Sequence, residues 1–216
     1  MKTLPIHKPA ALLAAAVLIA VAFAAPASAA TTRTYAIDPA HSEASFQIRH
    51  MFTQVRGEFN DFEGTIRMDP ESPAESTVRF RIEAASIDTD NADRDKHLRS
   101  EDFFWVEKHP VITFESESIR PVGEGRYAVT GTLTMRGVSK RVTLPVEMLG
   151  VGTDPWGNTR AGFSAETRLN RKEYDINWNQ ALDQGGYILG DEVDIEIHVE
   201  AVEQKPETEA ATGAAD

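Results

Sequence analysis

The stretch YAVTGTLTMRGVSKRVTLPVEML, residues Tyr127–Leu149, decides the fold class. Its apolar side chains occupy alternate positions on both sides of the pair Arg136-Gly137, and a period of two is typical of β-strands with one buried face. A short connection that contains glycine, placed between two such strands, predicts an antiparallel pair. The alternating residues are Tyr127, Val129, Leu133 and Met135 before the turn and Val142, Leu144, Val146 and Met148 after it.

The same period recurs between Thr34 and Val202, which predicts eight or nine strands in all. Clusters of Pro, Gly, Asn and Asp separate the alternating runs and mark turns. Pro145 interrupts an alternating run and lacks a backbone N–H, so we expect an edge or a bulge there. The clearest further runs are ASFQIRH (44–50), TVRFRIEA (77–84), AGFSAETRL (161–169) and EVDIEIHVE (192–200).

One segment, NADRDKHLRSEDFFWVEK, breaks the period and is rich in helix formers. Ser100 followed by two acids resembles the start of a helix, and Pro110 forces the chain to be extended at His109. We therefore expect a short helical insertion at about 91–108, placed over one end of the sheet.

A sheet whose strands bury one face must fold as a sandwich or close as a barrel. The strands are long and the inward positions hold many large residues, which favours a barrel with a tall interior. A closed barrel of eight strands either fills its interior or holds one small ligand. Composition and periodicity leave the filled core and the ligand cavity equally open.

The chain ends predict export and a tail. Residues 1–29 combine Lys2 and Lys8, an apolar run and a small-residue cleavage site, which is typical of a signal peptide. The run is shorter than a membrane span requires, so no integral span is expected after cleavage. We expect a single domain over 30–203 and a disordered acidic, alanine-rich tail over 204–216.

Charge and composition limit the function classes. Removing Lys2 and Lys8 takes the formal charge from −12 to −14, and an acidic protein is not expected to bind nucleic acid. The sequence contains no cysteine, which excludes disulfides and thiolate chemistry. The unpaired strand edge expected near Pro145 leaves two possibilities open: it pairs with a second copy of the chain in a homodimer, or the helical segment covers it.

Catalytic and metal signals are weak. Asp93, His97 and Glu101 stand four residues apart, which would place them on one helical face as metal ligands, but a solvated face with ion pairs is the expected alternative. There is no G-x-S-x-G motif, and the carboxylates fall mostly at outward positions. His50 shares the parity of Phe46 and Ile48, so it points inward and is open to a structural, ligand-binding or metal-binding role. We predict no catalytic residue and no resident metal or cofactor.

Five ordered stretches carry a resemblance to a known family. They are YAIDPAHSEASFQIRHM (35–51), VRGEFNDFEGTI (55–66), DKHLRSEDFFWVEKHPVITFES (95–116), VTGTLTMRGVSKRVTLPV (129–146) and NRKEYDINWN with GDEVDIEIHVEA (170–201). Together they resemble the YceI-like family of exported bacterial proteins. Asp175 departs from the family pattern, which has glycine there.

The resemblance implies an all-β, lipocalin-like antiparallel barrel whose interior takes an isoprenoid tail, with no catalysis. The expected ligand is a polyprenol or an isoprenoid quinone, bound for transport or sequestration in the periplasm. The alternative is a filled-core periplasmic stress or interaction protein without a lipid. Strand parity, with the aromatic run after the charged segment, predicts these pocket residues: Phe46, Ile48, His50, Phe80, Phe103, Phe104, Trp105, Phe114, Leu133, Phe163 and Trp178.

Overall fold

The structure, a computed structural model, describes residues 32–69 and 72–205. Within these ranges the chain forms strands and a single α-helix, joined by turns that include four short 3-10 helices. The strands are β1 (Arg33–Ile37), β2 (Glu43–His50), β3 (Thr53–Phe59), β4 (Phe62–Met68), β5 (Thr77–Glu83), β6 (Ile87–Asp88), β7 (Val111–Gly123), β8 (Arg126–Met135), β9 (Val138–Thr153), β10 (Thr159–Asn170) and β11 (Leu189–Gln204); the helix is α1 (Ala92–Arg99).

Eight strands close into a barrel in the order β1, β4, β5, β7, β8, β9, β10, β11 and back to β1. Tyr35 of β1 pairs with Glu203 of β11 at the closure, and every neighbouring pair in the ring is antiparallel. The predicted all-β antiparallel barrel of about eight strands is therefore confirmed.

The other three strands extend the wall at one end. β2 and β1 pair with the same edge of β11. β2 pairs with its first part, residues 189–198, and β1 pairs with its last part, residues 201–204. β3 pairs with β2, and the two-residue β6 pairs with β3. Bends between β1 and β2 and between β3 and β4 thus split long barrel strands into separate segments.

The register fixes which connections share an end of the barrel. The β2–β3 turn, the β8–β9 turn, the end of β10 and the start of β11 lie at one end, which we call the cap end because α1 lies there. The β7–β8 and β9–β10 turns lie at the opposite end, which we call the far end.

We call α1, the turns of residues 100–108 and the segment of residues 171–178 together the cap. The helix of the cap is shorter than predicted. Asn91 caps its start by accepting a hydrogen bond from the N–H of Arg94 at 3.0 Å, and its last residue is Arg99. Residues 100–108 form turns, so the predicted insertion over 91–108 is helical only in its first half. Ser100 is the C-terminal cap because its N–H bonds to the carbonyl of His97 at 3.0 Å, not the start of a helix.

The half of the barrel next to the far end is filled. Tyr35 and Met68 are fully buried there, and they belong to a cluster of buried apolar side chains contributed by β1, β4, β5 and their neighbours. Burial of such side chains stabilises the fold by roughly 1.5–3 kcal/mol each. This half supplies the core that a chain without disulfides needs.

Pro145 marks the place where two neighbouring strands separate. It lies opposite Ala128 of β8, and the pairing of β9 with β10 ends next to it, at Val146 and Ala165. Proline has no N–H to donate, so it fits where the ladder stops. The expected edge at Pro145 is confirmed, while the homodimer suggested for it stays a prediction.

The predicted signal peptide at 1–29 lies outside the described residues, as does the predicted tail from residue 206 onward. Gln204, the first residue of that predicted tail, is the last residue of β11. No helix in the described ranges is long and apolar enough to cross a membrane.

Candidate functional site: the cavity beneath the cap

The half of the barrel next to the cap end contains a cavity of about 530 Å³. Small-molecule sites typically measure roughly 300–1,000 Å³ and are lined mainly by apolar side chains. Most side chains of this wall are aliphatic or aromatic. Two lining residues at the start of α1, Asp93 and Arg94, are exposed, so the cavity reaches solvent beside the helix.

The pleat of the strands builds the wall. Alternate residues of β2, from His50 at the cap end to Ala44 deeper in the barrel, line the cavity. On β10 the lining residues run by the same rule from Leu169 to Ala165. Successive side chains of a strand point to opposite faces, so the periodicity of the sequence becomes one continuous apolar surface.

The cavity ends where the filled half of the barrel begins. Phe163 follows Ala165 on the inward side of β10 and lies opposite Met148 and Val199. It packs against the buried cluster to which Tyr35 and Met68 belong, and it is not among the residues that line the cavity. Phe163, a predicted pocket residue, therefore forms part of the filled core rather than of the cavity wall.

Nine of the eleven predicted pocket residues line the cavity, and Phe163 and Trp105 do not. Contact between these nine side chains and a ligand stays a prediction. They are Phe46, Ile48, His50, Phe80, Phe103, Phe104, Phe114, Leu133 and Trp178.

Trp105 lies outside the wall because the chain turns sharply at this residue. Its backbone has a φ of 49°, a conformation that bulky residues rarely adopt. The Nζ atom of Lys108 lies 4.2 Å from the centroid of its ring, and the ring of His109 is 5.8 Å away. The turn thus directs Phe103 and Phe104 into the cavity and Trp105 away from it.

Three rings form the underside of the cap. His97, Phe103 and Trp178 lie 4.8 to 5.3 Å apart, measured between ring centroids, and all three line the cavity. Nε2 of His97 lies 2.9 Å from Oδ2 of Asp102, which orients the imidazole. A solvated helix face was the expectation for His97, yet its ring lines the cavity.

Few polar groups reach the cavity, and several have no protein partner. The side chains of His50, Thr167 and Trp178 line the wall and make no hydrogen bond to any described residue. His50 and Trp178 lie near the cap, whereas Thr167 is paired with Ile195 at mid-height. A ligand with an apolar tail and a small polar group therefore finds its hydrogen-bonding partners mainly near the cap.

A buried arginine holds the segment that carries Trp178. Nη1 of Arg171 donates to the carbonyls of Ile176 and Trp178 at 2.7 and 2.8 Å, and Nε donates to Gly190 at 2.9 Å. Burial lowers the pKa of Arg171 from its ordinary value, and the carboxylate of Asp191 opposes that shift. Arg171 thus positions one side of the cap.

Tyr174 packs beside Arg171 and is 1% exposed. Its hydroxyl has no hydrogen-bond partner among the described residues. Burial raises the pKa of this phenol to about 12, because charge is disfavoured where water is excluded.

Arg136 fastens the two sides of the cap together. Its Nη2 donates to the carbonyl of Glu101 at 2.6 Å, in the turns after α1. Its Nη1 donates to the carbonyl of Asp175, in the segment held by Arg171. One guanidinium on the β8–β9 turn therefore joins both covering segments.

The three residues considered as metal ligands, Asp93, His97 and Glu101, do not share a helical face. The helix ends at Arg99, so Glu101 does not share a helical face with Asp93 and His97. A different group, Asp38, His41 and Glu200, comes close together. There Nη1 of Arg160 bonds to Oδ2 of Asp38 at 2.8 Å and to Glu200, so a guanidinium already balances these carboxylates.

Comparison with known proteins places this geometry in a family. The model of the YceI-like domain matches residues 35–201. The chain belongs to the YceI-like family. It is 41% identical to Protein YceI of Escherichia coli O157:H7 over 182 residues, which is 83% of this chain and 92% of that protein.

Two solved structures share the fold. BcnA of Burkholderia cenocepacia is 27% identical, with a TM-score of 0.68 over 76% of this chain and 98% of that one. A polyisoprenoid binding domain from Saccharophagus degradans is 16% identical, with a TM-score of 0.59 over 79% of this chain and 98% of that one. At 16% identity the second likeness shows the fold alone.

The resemblance to the YceI-like family predicts glycine at position 175, where this chain has aspartate. Its φ of 59° and ψ of 16° are left-handed, and its N–H bonds to the carbonyls of Arg171 and Lys172. This YceI-like chain therefore keeps the conformation that glycine adopts easily, with aspartate in its place.

Sequence reasoning missed several residues of the wall. Leu144, Val193 and Ile195 share the parity of their strands and could have been predicted from it. Arg171 and Tyr174 lie in a 3-10 helix of four residues, which is too short for a period to show. Further lining residues outside the prediction are Val55, Phe59, Ile82, Ile112, Met135, Leu169, Ile176 and Ile188.

Proposed function

We propose that this protein binds an amphiphilic isoprenoid lipid, a polyprenol or an isoprenoid quinone, inside the barrel without catalysis. The observation that carries the proposal is the apolar cavity of about 530 Å³, open to solvent beside α1 and lined by polar groups mainly near the cap. The YceI-like domain match and a structural neighbour described as polyisoprenoid binding support it.

The physical chemistry of the wall suits a tail that carries no polar atoms. Each methylene group transferred from water to an apolar wall contributes about 0.8 kcal/mol. Binding by this wall needs shape and apolar area rather than directional bonds. Aromatic side chains such as Phe80 and Phe114 supply large contact areas.

The volume bounds the length of tail that fits without rearrangement. A dry protein cavity of about 150 Å³ accepts one benzene, so each carbon needs about 25 Å³. On that scale a cavity of about 530 Å³ encloses about 20 carbons, or four isoprene units. We propose that longer tails leave units outside or displace side chains of the wall.

The polar head group belongs near the cap. His50 and Trp178 offer ring N–H groups without protein partners there, and His97 is oriented by Asp102. Hydrogen bonds to such a head group would satisfy donors that are otherwise left unpaired. We propose that these residues orient the lipid with its tail towards the filled half.

The predicted signal peptide favours a role in the periplasm. An isoprenoid lipid is nearly insoluble in water, and a barrel that covers its tail lets it cross an aqueous compartment. We propose that the protein carries or sequesters such a lipid there.

Titration with a polyprenol series tests the proposal. Farnesol, geranylgeraniol and solanesol, added in solution, should bind to the parent chain with affinity that rises up to geranylgeraniol. Ala165→Trp fills the floor of the cavity and should weaken geranylgeraniol binding at least about tenfold, since several buried methylenes are displaced. Glu166→Trp, on the outer face of the same strand, is the matched control. Equal binding by all three proteins would refute an interior site.

A further inference from the structure

The turn between β2 and β3 departs from two folding preferences. Met51 and Phe52 form its two central residues, between the paired residues His50 and Thr53. Met51 has a φ of 47°, where two-residue hairpin turns favour asparagine or glycine. Phe52 is 93% exposed, which gains nothing for folding. Residues that disobey turn and burial preferences, and do not stabilise the fold by doing so, are expected at functional sites.

A second exposed aromatic lies on the neighbouring loop. The N–H of Met51 donates to the carbonyl of Ile188 at 2.7 Å, and Tyr187, next to Ile188, is 57% exposed. The two loops are therefore joined, and each continues into the cavity wall through His50 and Ile188. We call Phe52 and Tyr187 the aromatic tip.

Cations flank the aromatic tip. Nη1 of Arg49 bonds to the carbonyl of Met51 at 3.1 Å, and Arg49 is exposed. Nζ of Lys172 lies 5.9 Å from the centroid of the Tyr187 ring, although it also pairs with Asp191 at 2.9 Å. Aromatic rings beside Arg and Lys side chains are typical of surfaces that lie at a membrane interface.

We propose that the aromatic tip inserts into the surface of a phospholipid bilayer, with Arg49 and Lys172 near the phosphates, so that the cavity exchanges its tail with the membrane. This inference rests on the proposed isoprenoid ligand, because only a ligand held in a bilayer needs such a contact. The formal charge of −12 opposes anionic surfaces elsewhere on the molecule, so the contact is local and reversible.

Sedimentation with vesicles of phosphatidylethanolamine and phosphatidylglycerol tests the inference on the exported protein, which begins at residue 30 after removal of the predicted signal peptide. The double variant Met51→Gly, Phe52→Ser puts glycine at the central position that has a positive φ and removes the exposed aromatic ring, so it should fold at least as stably as the parent. Its partition onto vesicles should fall about tenfold, because a phenylalanine no longer enters the interface. Geranylgeraniol binding in solution should not change.

Trp156→Ser is the matched control, since Trp156 is 81% exposed but lies in the β9–β10 turn at the far end. It should leave vesicle partition unchanged. Full vesicle binding by the double variant, or an equal loss in Trp156→Ser, would overturn the inference. A parent that binds geranylgeraniol but no vesicles would also overturn it, in favour of a protein partner at the tip. A parent that binds vesicles through the tip but no geranylgeraniol would refute the proposed ligand alone.

Discussion

Asp95 of the cap helix bonds twice to Thr89, the residue that leads into the helix. Oδ1 of Asp95 accepts from the backbone N–H of Thr89 at 3.0 Å and from its hydroxyl at 2.5 Å. Both residues are buried, with 6% and 5% of their surfaces exposed. A buried carboxylate that accepts two hydrogen bonds is an anchor that water cannot replace at low cost. The pair therefore fixes the start of α1 over the cavity.

Asp95→Ala should lower the free energy of unfolding by about 2 kcal/mol, the typical cost of removing a charged partner from buried hydrogen bonds. It should also raise the rate at which geranylgeraniol dissociates, because the cap is held less firmly. Chemical denaturation and stopped-flow displacement measure the two effects. Lys96→Ala, at an exposed position of the same helix that does not line the cavity, should change neither, and equal effects of the two substitutions would contradict the anchor.

Arg160 should make the barrel sensitive to acid. Its hydrogen bonds hold the pKa of Asp154 and of Asp38 below their ordinary value of 3.8. A lowered pKa in the folded state adds stability above the unfolded pKa, and that stability is lost as the pH falls through the folded value. The parent should therefore lose stability progressively below about pH 4.

Arg160→Gln removes the cation, so its unfolding free energy should fall less steeply with acidification than that of the parent. Denaturant unfolding between neutral pH and the acid range measures both slopes. Parallel curves for the two proteins would show that Arg160 does not couple these carboxylates to folding.

Tyr174→Phe should stabilise the protein at neutral pH. The hydroxyl of Tyr174 is buried without a partner, and removing an unsatisfied polar group gains about 1 kcal/mol. The raised pKa, about 12 against an ordinary 10.0, adds a second effect. The neutral phenol is favoured in the folded state, so stability is complete below pH 10.0 and is lost towards about pH 12.

The phenylalanine variant should lose that part of the alkaline transition, which absorbance of ionised tyrosine and unfolding curves measure together. A Tyr174→Phe protein less stable than its parent at neutral pH would mean that the hydroxyl has a hydrogen-bond partner.

Asp175→Gly should raise the free energy of unfolding by about 1 kcal/mol. A left-handed backbone costs roughly 1–2 kcal/mol for residues with a Cβ, and part of the gain from removing that cost is lost because glycine gives up more conformational entropy on folding. The expected rise in Tm is about 2–4 °C. Asp183→Gly, another exposed aspartate near the cap end but without a positive φ, should not stabilise. Calorimetry of both variants decides between strain at Asp175 and a general effect of glycine.

More of the fold than of the candidate site could be predicted from the sequence. The alternation of apolar residues along β8, β9 and β11 predicts strands without knowledge of which strands they pair with. Pro145 correctly indicated where the pairing between β9 and β10 ends. Parity also told inward from outward residues. It could not tell Ala165 from Phe163, because both face inward and only the packing of the far half decides where the cavity ends.

The cap was harder to predict because no period governs it. Asn91 and Ser100 are both good cap residues, and only the hydrogen bonds show that one begins the helix and the other ends it. Trp105 turns away from the cavity through a positive φ that its residue type disfavours. His97 lies on a charged helix, yet its ring packs against those of Phe103 and Trp178 and faces the cavity.

Organic extraction of the protein purified without detergent, followed by mass spectrometry of the extract, tests the central claim most directly. The account predicts an isoprenoid lipid in stoichiometric amount, with the head group identified in the same spectrum. An extract without lipid, from a protein that also fails to take up added geranylgeraniol, would contradict the claim.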